Sequence, residues 1–242
     1  MKMNLKSRKV YLRIICFLAS FSVVAQDTNT DEVLQTVSDF YQNTNAYAIT
    51  MKYNVYKNDN EIKPVESYNG VYLKKNKYSK LQLLNSEVIQ VVNTQLIIDH
   101  TNKAISYNKT LGETQVVNTL DFKNYLKFYK TICVEEDQEK MVLHLQLKNN
   151  KTPIPYYKVI LHIDQKEHFV TKQELFFSSK LPFESSDGKK EWGNAKLCIE
   201  MELQKSVNQE VLQISDYVTP NPNGHKQLTG KYKNYQLVDL TK

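Results

Sequence analysis

Imidazoles, thiols and carboxylates are the side chains that hold metals, move protons or attack carbonyl groups, and this sequence spaces them sparsely. His144, His162 and His168 fall close together in the chain. The first two occupy outward positions on strands expected to join in one hairpin, so their imidazoles would stand opposite each other. Two or three imidazoles can begin a zinc site. No carboxylate or thiolate is spaced to complete four ligands, so the expectation is surface histidines and no metal. Asp99-His100 falls on an expected turn with no nucleophile assigned to it, and Glu135-Glu136-Asp137 reads as a solvated turn. The sequence has no G-x-S-x-G, no H-E-x-x-H and no phosphate-cradling glycine loop. The expectation is therefore a protein that is not an enzyme and carries no cofactor.

The cysteines divide by compartment. Residues 1–25 begin with Lys2, Lys6, Arg8, Lys9 and Arg13, then run apolar from Ile14 to Ala25 apart from two serines. Val23 and Ala25 place small side chains at −3 and −1 of a cut before Gln26, the pattern of a secretory signal peptide. The apolar run is too short for the roughly 20 residues that cross a bilayer, so no membrane span is expected. Cys16 lies within this leader, preceded by Ile14-Ile15 and therefore poorly suited to lipidation. Cys133 and Cys198 remain, either as a disulfide permitted by export or as two buried thiols. The leader also carries five of the six net positive charges, leaving the mature chain near +1. No basic stripe interleaved with exposed aromatics remains, which argues against a nucleic-acid partner. Asn108-Lys109-Thr110 and Asn150-Lys151-Thr152 fit a glycan acceptor and fit plain turns equally well.

The elements that position these groups follow from hydrophobic period. Thr30 caps a helix with Asp31 and Glu32 in its first turn. Val33, Val37, Phe40 and Tyr41 form its apolar face, and Asn43-Thr44-Asn45 ends it. The period then becomes two. Tyr47, Ile49, Met51, Tyr53 and Val55 alternate with smaller or polar residues, as in a half-buried strand. Short strands follow at Val65–Leu73, Tyr78–Leu84, Val88–Val92, Leu96–Asp99 and Ala104–Tyr107. A second helix is expected over Thr119–Thr131, from Leu120, Phe122, Tyr125, Leu126 and Tyr129. Strands resume at Met141–Leu147, Tyr157–Ile163 and Phe169–Phe177. After a loop over Leu181–Gly193 come Ala195–Leu203, Val211–Val218 and, past a Pro220–Gly224 loop, Tyr232–Leu240. Such regular hairpin spacing, with 16 tyrosines and only 6 glycines, predicts an α+β fold. Its core is a curved antiparallel sheet, an incomplete β-barrel of about 10–12 strands, with two helices covering the concave face. Residues 26–242 are expected to form one domain.

The strand rhythm resembles the LolA/LolB-like periplasmic lipoprotein carriers. The similarity rests on Asp39-Phe40-Tyr41 ending the first helix and on the run Gly70-Val71-Tyr72-Leu73-Lys74-Lys75-Asn76-Lys77-Tyr78. It continues through Leu96-Ile97-Ile98-Asp99 and Ile105-Ser106-Tyr107-Asn108, and recurs at Ile163-Asp164 and Val170-Thr171-Lys172. The resemblance implies a non-catalytic periplasmic or secreted carrier for lipid or the acyl chains of a lipoprotein. An apolar cavity would be lined by Met51, Tyr53, Val71, Leu73, Leu81, Leu83, Ile89, Val91, Ile98 and Tyr107, with Lys75 and Tyr78 at its rim. The alternative is a cell-envelope scaffold that uses the same fold, with a filled interior, to hold a protein partner.

Overall fold

The computed structural model describes residues 30–109, 122, 125–137, 139–185, 187–204, 213–223 and 225–241. The expected leader, most of Thr119–Asn124 and the start of the Val211–Val218 strand lie outside those residues. In chain order the elements are α1 (Thr30–Asn43), β1 (Ala46–Tyr56), β2 (Glu66–Lys75), β3 (Tyr78–Leu83), β4 (Ser86–Val91), β5 (Thr94–Asp99) and β6 (Ala104–Lys109). They continue with α2 (Tyr125–Phe128), β7 (Tyr129–Asp137), β8 (Lys140–Leu147), β9 (Tyr156–Asp164), β10 (Phe169–Phe177), β11 (Leu181–Glu184), β12 (Lys190–Gly193) and β13 (Lys196–Gln204). Short strands β14 (Val218–Pro220), β15 (Lys226–Leu228) and β16 (Gln236–Asp239) close the chain.

Twelve strands form one sheet in the order β16-β6-β5-β4-β3-β2-β1-β13-β10-β9-β8-β7. The sheet is curved and not closed into a barrel, and the fold is α+β. All its pairings are antiparallel except that of β16, which runs parallel to β6. Hairpin loops of two residues set the register from β2 to β5. Their first residues, Asn76, Leu84 and Val92, all take positive φ, near 50°. Asparagine accepts that conformation readily; leucine and β-branched valine adopt it at a cost.

α1 lies on the concave face. Leu34, Val37 and Tyr41 are buried there in one cluster with Ile49 and Met51 of β1 and with Leu143, Leu161, Phe169 and Ile199 of β8, β9, β10 and β13, on one side of it. The helix has no basic residue in its last turn. Its terminal carbonyls are instead met from the sheet, where the Lys74 ammonium donates to Tyr41 O at 2.6 Å and Gln42 O at 2.7 Å. A cation placed on unpaired C-terminal carbonyls satisfies them and favours the helix dipole.

A second core lies on the opposite, convex face. Leu73, Ile89, Leu96, Ile98 and Ile105 pack there against Tyr217, Val218 and Tyr232 of the C-terminal segment. That segment is also clasped by polar groups. His100 bridges Glu87 Oε1 through Nε2 and the Tyr235 hydroxyl through Nδ1, each at 3.0 Å. Lys80 holds the other Glu87 oxygen at 2.8 Å. Burial works to raise the Glu87 pKa, but the hydrogen bonds and charges of Lys80 and His100 outweigh it and hold the carboxyl ionised. Across the convex face of the other half-sheet, Glu174 accepts from His162 at 3.0 Å and Lys172 at 2.9 Å, with Lys196 at 3.5 Å.

Several expectations change. The second helix is a single turn within the described residues, and the chain enters β7 at Tyr129. The run Thr131-Ile132-Cys133-Val134 suits a strand better than a helix. It finds a ladder partner in β8, and Tyr129 is pinned by its hydroxyl donating to Tyr156 O at 2.9 Å. The loop expected over Leu181–Gly193 contains the β11–β12 hairpin. Ile214–Asp216, inside the expected Val211–Val218 strand, is a 3-10 turn, and a second, Gly230–Tyr232, takes the first residue of the strand expected over Tyr232–Leu240. The cysteines are both free, Cys133 exposed and Cys198 buried. They lie on one cross-strand row, Cys133–His144–Ile160–Glu174–Cys198. Four strand spacings separate them, about 19 Å along the sheet, against the Cα separation of under about 7 Å that a disulfide needs.

Candidate ligand-binding face

Cross-strand partners share a face, so the register sorts every expected lining residue. Met51 and Tyr53 pair with Gly70 and Tyr68, and Leu81 and Leu83 pair with Tyr72 and Gly70. These four expected residues are on the concave face with α1. Val71, Leu73, Ile89, Val91, Ile98 and Tyr107 fall on the convex face, as do Lys75 and Tyr78. Leu73, Ile89, Ile98, Tyr107 and Tyr78 are part of the convex core beneath the C-terminal segment, and Val91 packs against it. They do not share a cavity with Met51 and Tyr53. Lys75 is likewise not at a concave rim. The basic residue that reaches the helix is its neighbour Lys74, and burial lowers its pKa.

The concave face carries a different row. Ile49, Tyr72, Leu81, Val88 and Ile97 are successive cross-strand partners from β1 to β5. Ile49 is fully buried beneath α1, Tyr72, Leu81 and Val88 are half-buried, and Ile97 is 44% exposed. The row spans four strand spacings, about 19 Å. It is an apolar track leading out from under the helix onto the sheet.

Gly70 shapes the neighbouring row. A Cβ there would stand 3.1 Å from the Tyr53 ring and 3.3 Å from Leu83 Cδ1. The missing side chain lets the Tyr53 ring and Leu83 settle onto the backbone beside the track. Tyr53 turns its hydroxyl toward Met51 Sδ at 3.3 Å. Burial raises the phenol pKa of both Tyr53 and Tyr72, so these rings present neutral, amphipathic surface.

Sequence reasoning missed Tyr72, Val88 and Ile97 because β2, β4 and β5 carry apolar residues on both faces. Val88 and Ile89 are adjacent, as are Leu96, Ile97 and Ile98. Alternation alone does not say which set faces the helix. The two-residue loops do, because each fixes the pairing of the strands it joins. The Asp99-His100 pair also divides. Asp99 caps its own turn, accepting from the backbone N–H groups of Thr101 and Asn102, each at 2.9 Å. His100 joins the convex clasp.

No protein-family model matches the sequence, and no curated protein matches it. Solved structures similar to it include an uncharacterised conserved protein of Thermus thermophilus, 10% identical with a TM-score of 0.45, covering 88% of this chain and 99% of that one. A LolA superfamily protein of Nitrosomonas europaea is 12% identical with a TM-score of 0.34, covering 76% of this chain and 94% of that one. Mycobacterium tuberculosis lipoprotein LppX is 8% identical with a TM-score of 0.34, covering 76% and 99%. The likeness to each is one of backbone course alone.

Proposed function

We propose that the protein is a non-catalytic periplasmic carrier that binds lipid, or the acyl chains of a lipoprotein, along its concave face. The observation that supports this most is the row Ile49–Tyr72–Leu81–Val88–Ile97, graded from buried to exposed. An extended chain of methylenes fits a linear apolar track, and each CH2 taken from water is worth about 0.8 kcal/mol. Tyrosines at the track's flank suit the boundary between apolar chain and water. An exported protein meets such ligands in the envelope, and the 25-residue leader pattern supports export.

The test is native mass spectrometry of the purified mature chain for co-purified lipid, with titration by an apolar fluorophore that brightens on leaving water. Lipid adducts, or bright saturable binding that Val88→Asp and Ile97→Asp each weaken at least tenfold, support the reading. Lipid-free protein that leaves the fluorophore dark overturns it. If that protein instead brings down a stoichiometric envelope partner, the scaffold alternative takes its place.

A further inference from the structure

β7, whose first three residues were expected to end a helix and whose last three were expected to form a turn, brings metal-ligating groups together with β8. Cys133 and Glu135 lie on β7, and His144 is the register partner of Cys133 on β8. The ladder slips between Thr131 and Cys133, leaving Ile132 as the extra residue of a bulge. Before the bulge, odd-numbered residues of β7 face α1. After it, Cys133 and Glu135 face the convex side with His144. The bulge thus re-aims the thiol into the cluster, a use of bulges that recurs beside functional sites. The Cys133 thiol, a Glu135 carboxylate oxygen and a His144 ring nitrogen all lie within 4.8 Å of one another. His144 Nε2 already meets Glu135 Oε1 at 2.9 Å.

We propose that Cys133, Glu135 and His144 form a binding site for a borderline-soft divalent cation, Zn2+ by preference. A tetrahedron with bonds of about 2.0–2.3 Å needs its ligand atoms about 3.3–3.8 Å apart. The three atoms, all within 4.8 Å of one another, already stand near that spacing. A thiolate and a carboxylate neutralise the two positive charges, and a neutral imidazole adds the third bond. Thiolate and imidazole together favour zinc over magnesium or calcium, which prefer oxygen. Cys133 and Glu135 are exposed, so the fourth position faces solvent and accepts water or an external ligand. Three protein ligands with one open position distinguish this site from the closed four-ligand sites that only hold a fold together.

The experiment uses Co2+ as a spectroscopic stand-in, added to the reduced mature chain. The expected result is a thiolate-to-cobalt charge-transfer band saturating at one equivalent and bleached by one equivalent of Zn2+. Cys133→Ser abolishes the band, while Cys198→Ser retains it because that thiol lies buried four strands away. His144→Gln and Glu135→Gln each raise the Zn2+ dissociation constant at least tenfold. All four variants keep the circular dichroism of the parent. Absence of the band at one equivalent, or its survival in Cys133→Ser, overturns the proposal.

Discussion

Glu174 on β10 is the perturbation whose size follows most directly from the structure. Its side chain is only 14% exposed and accepts hydrogen bonds from His162 and Lys172, with Lys196 beyond. The His162 hydrogen bond is the largest influence on its carboxyl; burial opposes it, and the Lys172 hydrogen bond and charge reinforce it. The result is a pKa pulled down from 4.5 to about 2. At about 1.4 kcal/mol per pH unit, the folded state favours the ionised carboxylate by about 3 kcal/mol. A depressed carboxylate contributes this stability above its ordinary pKa and loses it as pH falls toward the folded value. Glu174→Gln keeps the shape and an acceptor but never ionises. It is therefore expected to cost about 3 kcal/mol at neutral pH, a fall in Tm of about 6–12 °C for a chain of this size. The difference from the parent should shrink between about pH 4.5 and pH 2. Urea unfolding of both proteins across that range is the assay, repeated in strong salt, where the partly exposed lysine terms weaken. A variant as stable as the parent at neutral pH, or a loss that persists undiminished near pH 2, would refute the reasoning.

Other consequences are as direct. Leu34→Ala removes a fully buried contact between α1 and the sheet and should cost about 2–5 kcal/mol, read from the urea midpoint. Val92 is half exposed and holds a positive φ of 50° that a β-branched residue resists. Val92→Asn should raise stability by about 1 kcal/mol, a gain of about 2–4 °C in a thermal melt.

The architecture was legible where one signal sufficed. The apolar spacing of Val33, Val37, Phe40 and Tyr41 located α1, and the alternation of Tyr47 to Val55 located β1. Short hairpin spacing gave a long curved sheet. Face assignment was not legible, because it depends on the parity of each turn and on which elements cover which side. The apolar residues of the C-terminal segment do not reveal which face of the sheet they dock on, yet Tyr217 and Tyr232 join the convex core of β3–β6. It is for this reason that Val71, Leu73 and Ile89 looked like companions of Met51 when they face the other way. β7 was hidden by a different conflict. Tyr125, Leu126 and Tyr129 keep a helical spacing up to the residue where the strand begins. The thiol–imidazole pairing of Cys133 and His144 could not be read while Cys133's strand was taken as the sequel to a helix.

The burial of the convex side of β3–β6 bears on how the concave track can be tested. A sheet with one covered face depends on every apolar side chain of that face, and a charge placed there unfolds it. Here Ile89, Leu96, Ile98 and Ile105 are fully buried on the convex side, so β4 to β6 are anchored without help from Val88 or Ile97. Ile97 already meets water, and replacing it desolvates nothing. Strand pairing in this region is further held by the Glu87–Lys80 pair and by His100 reaching the C-terminal segment. A charge on the track therefore perturbs a surface whose strands are secured from behind. Loss of ligand with unchanged unfolding midpoints is the outcome that separates a binding face from a core. Ile98→Asp, one residue away on the opposite face, is expected to do the reverse: to collapse the midpoint by several kcal/mol through an unpaired buried charge.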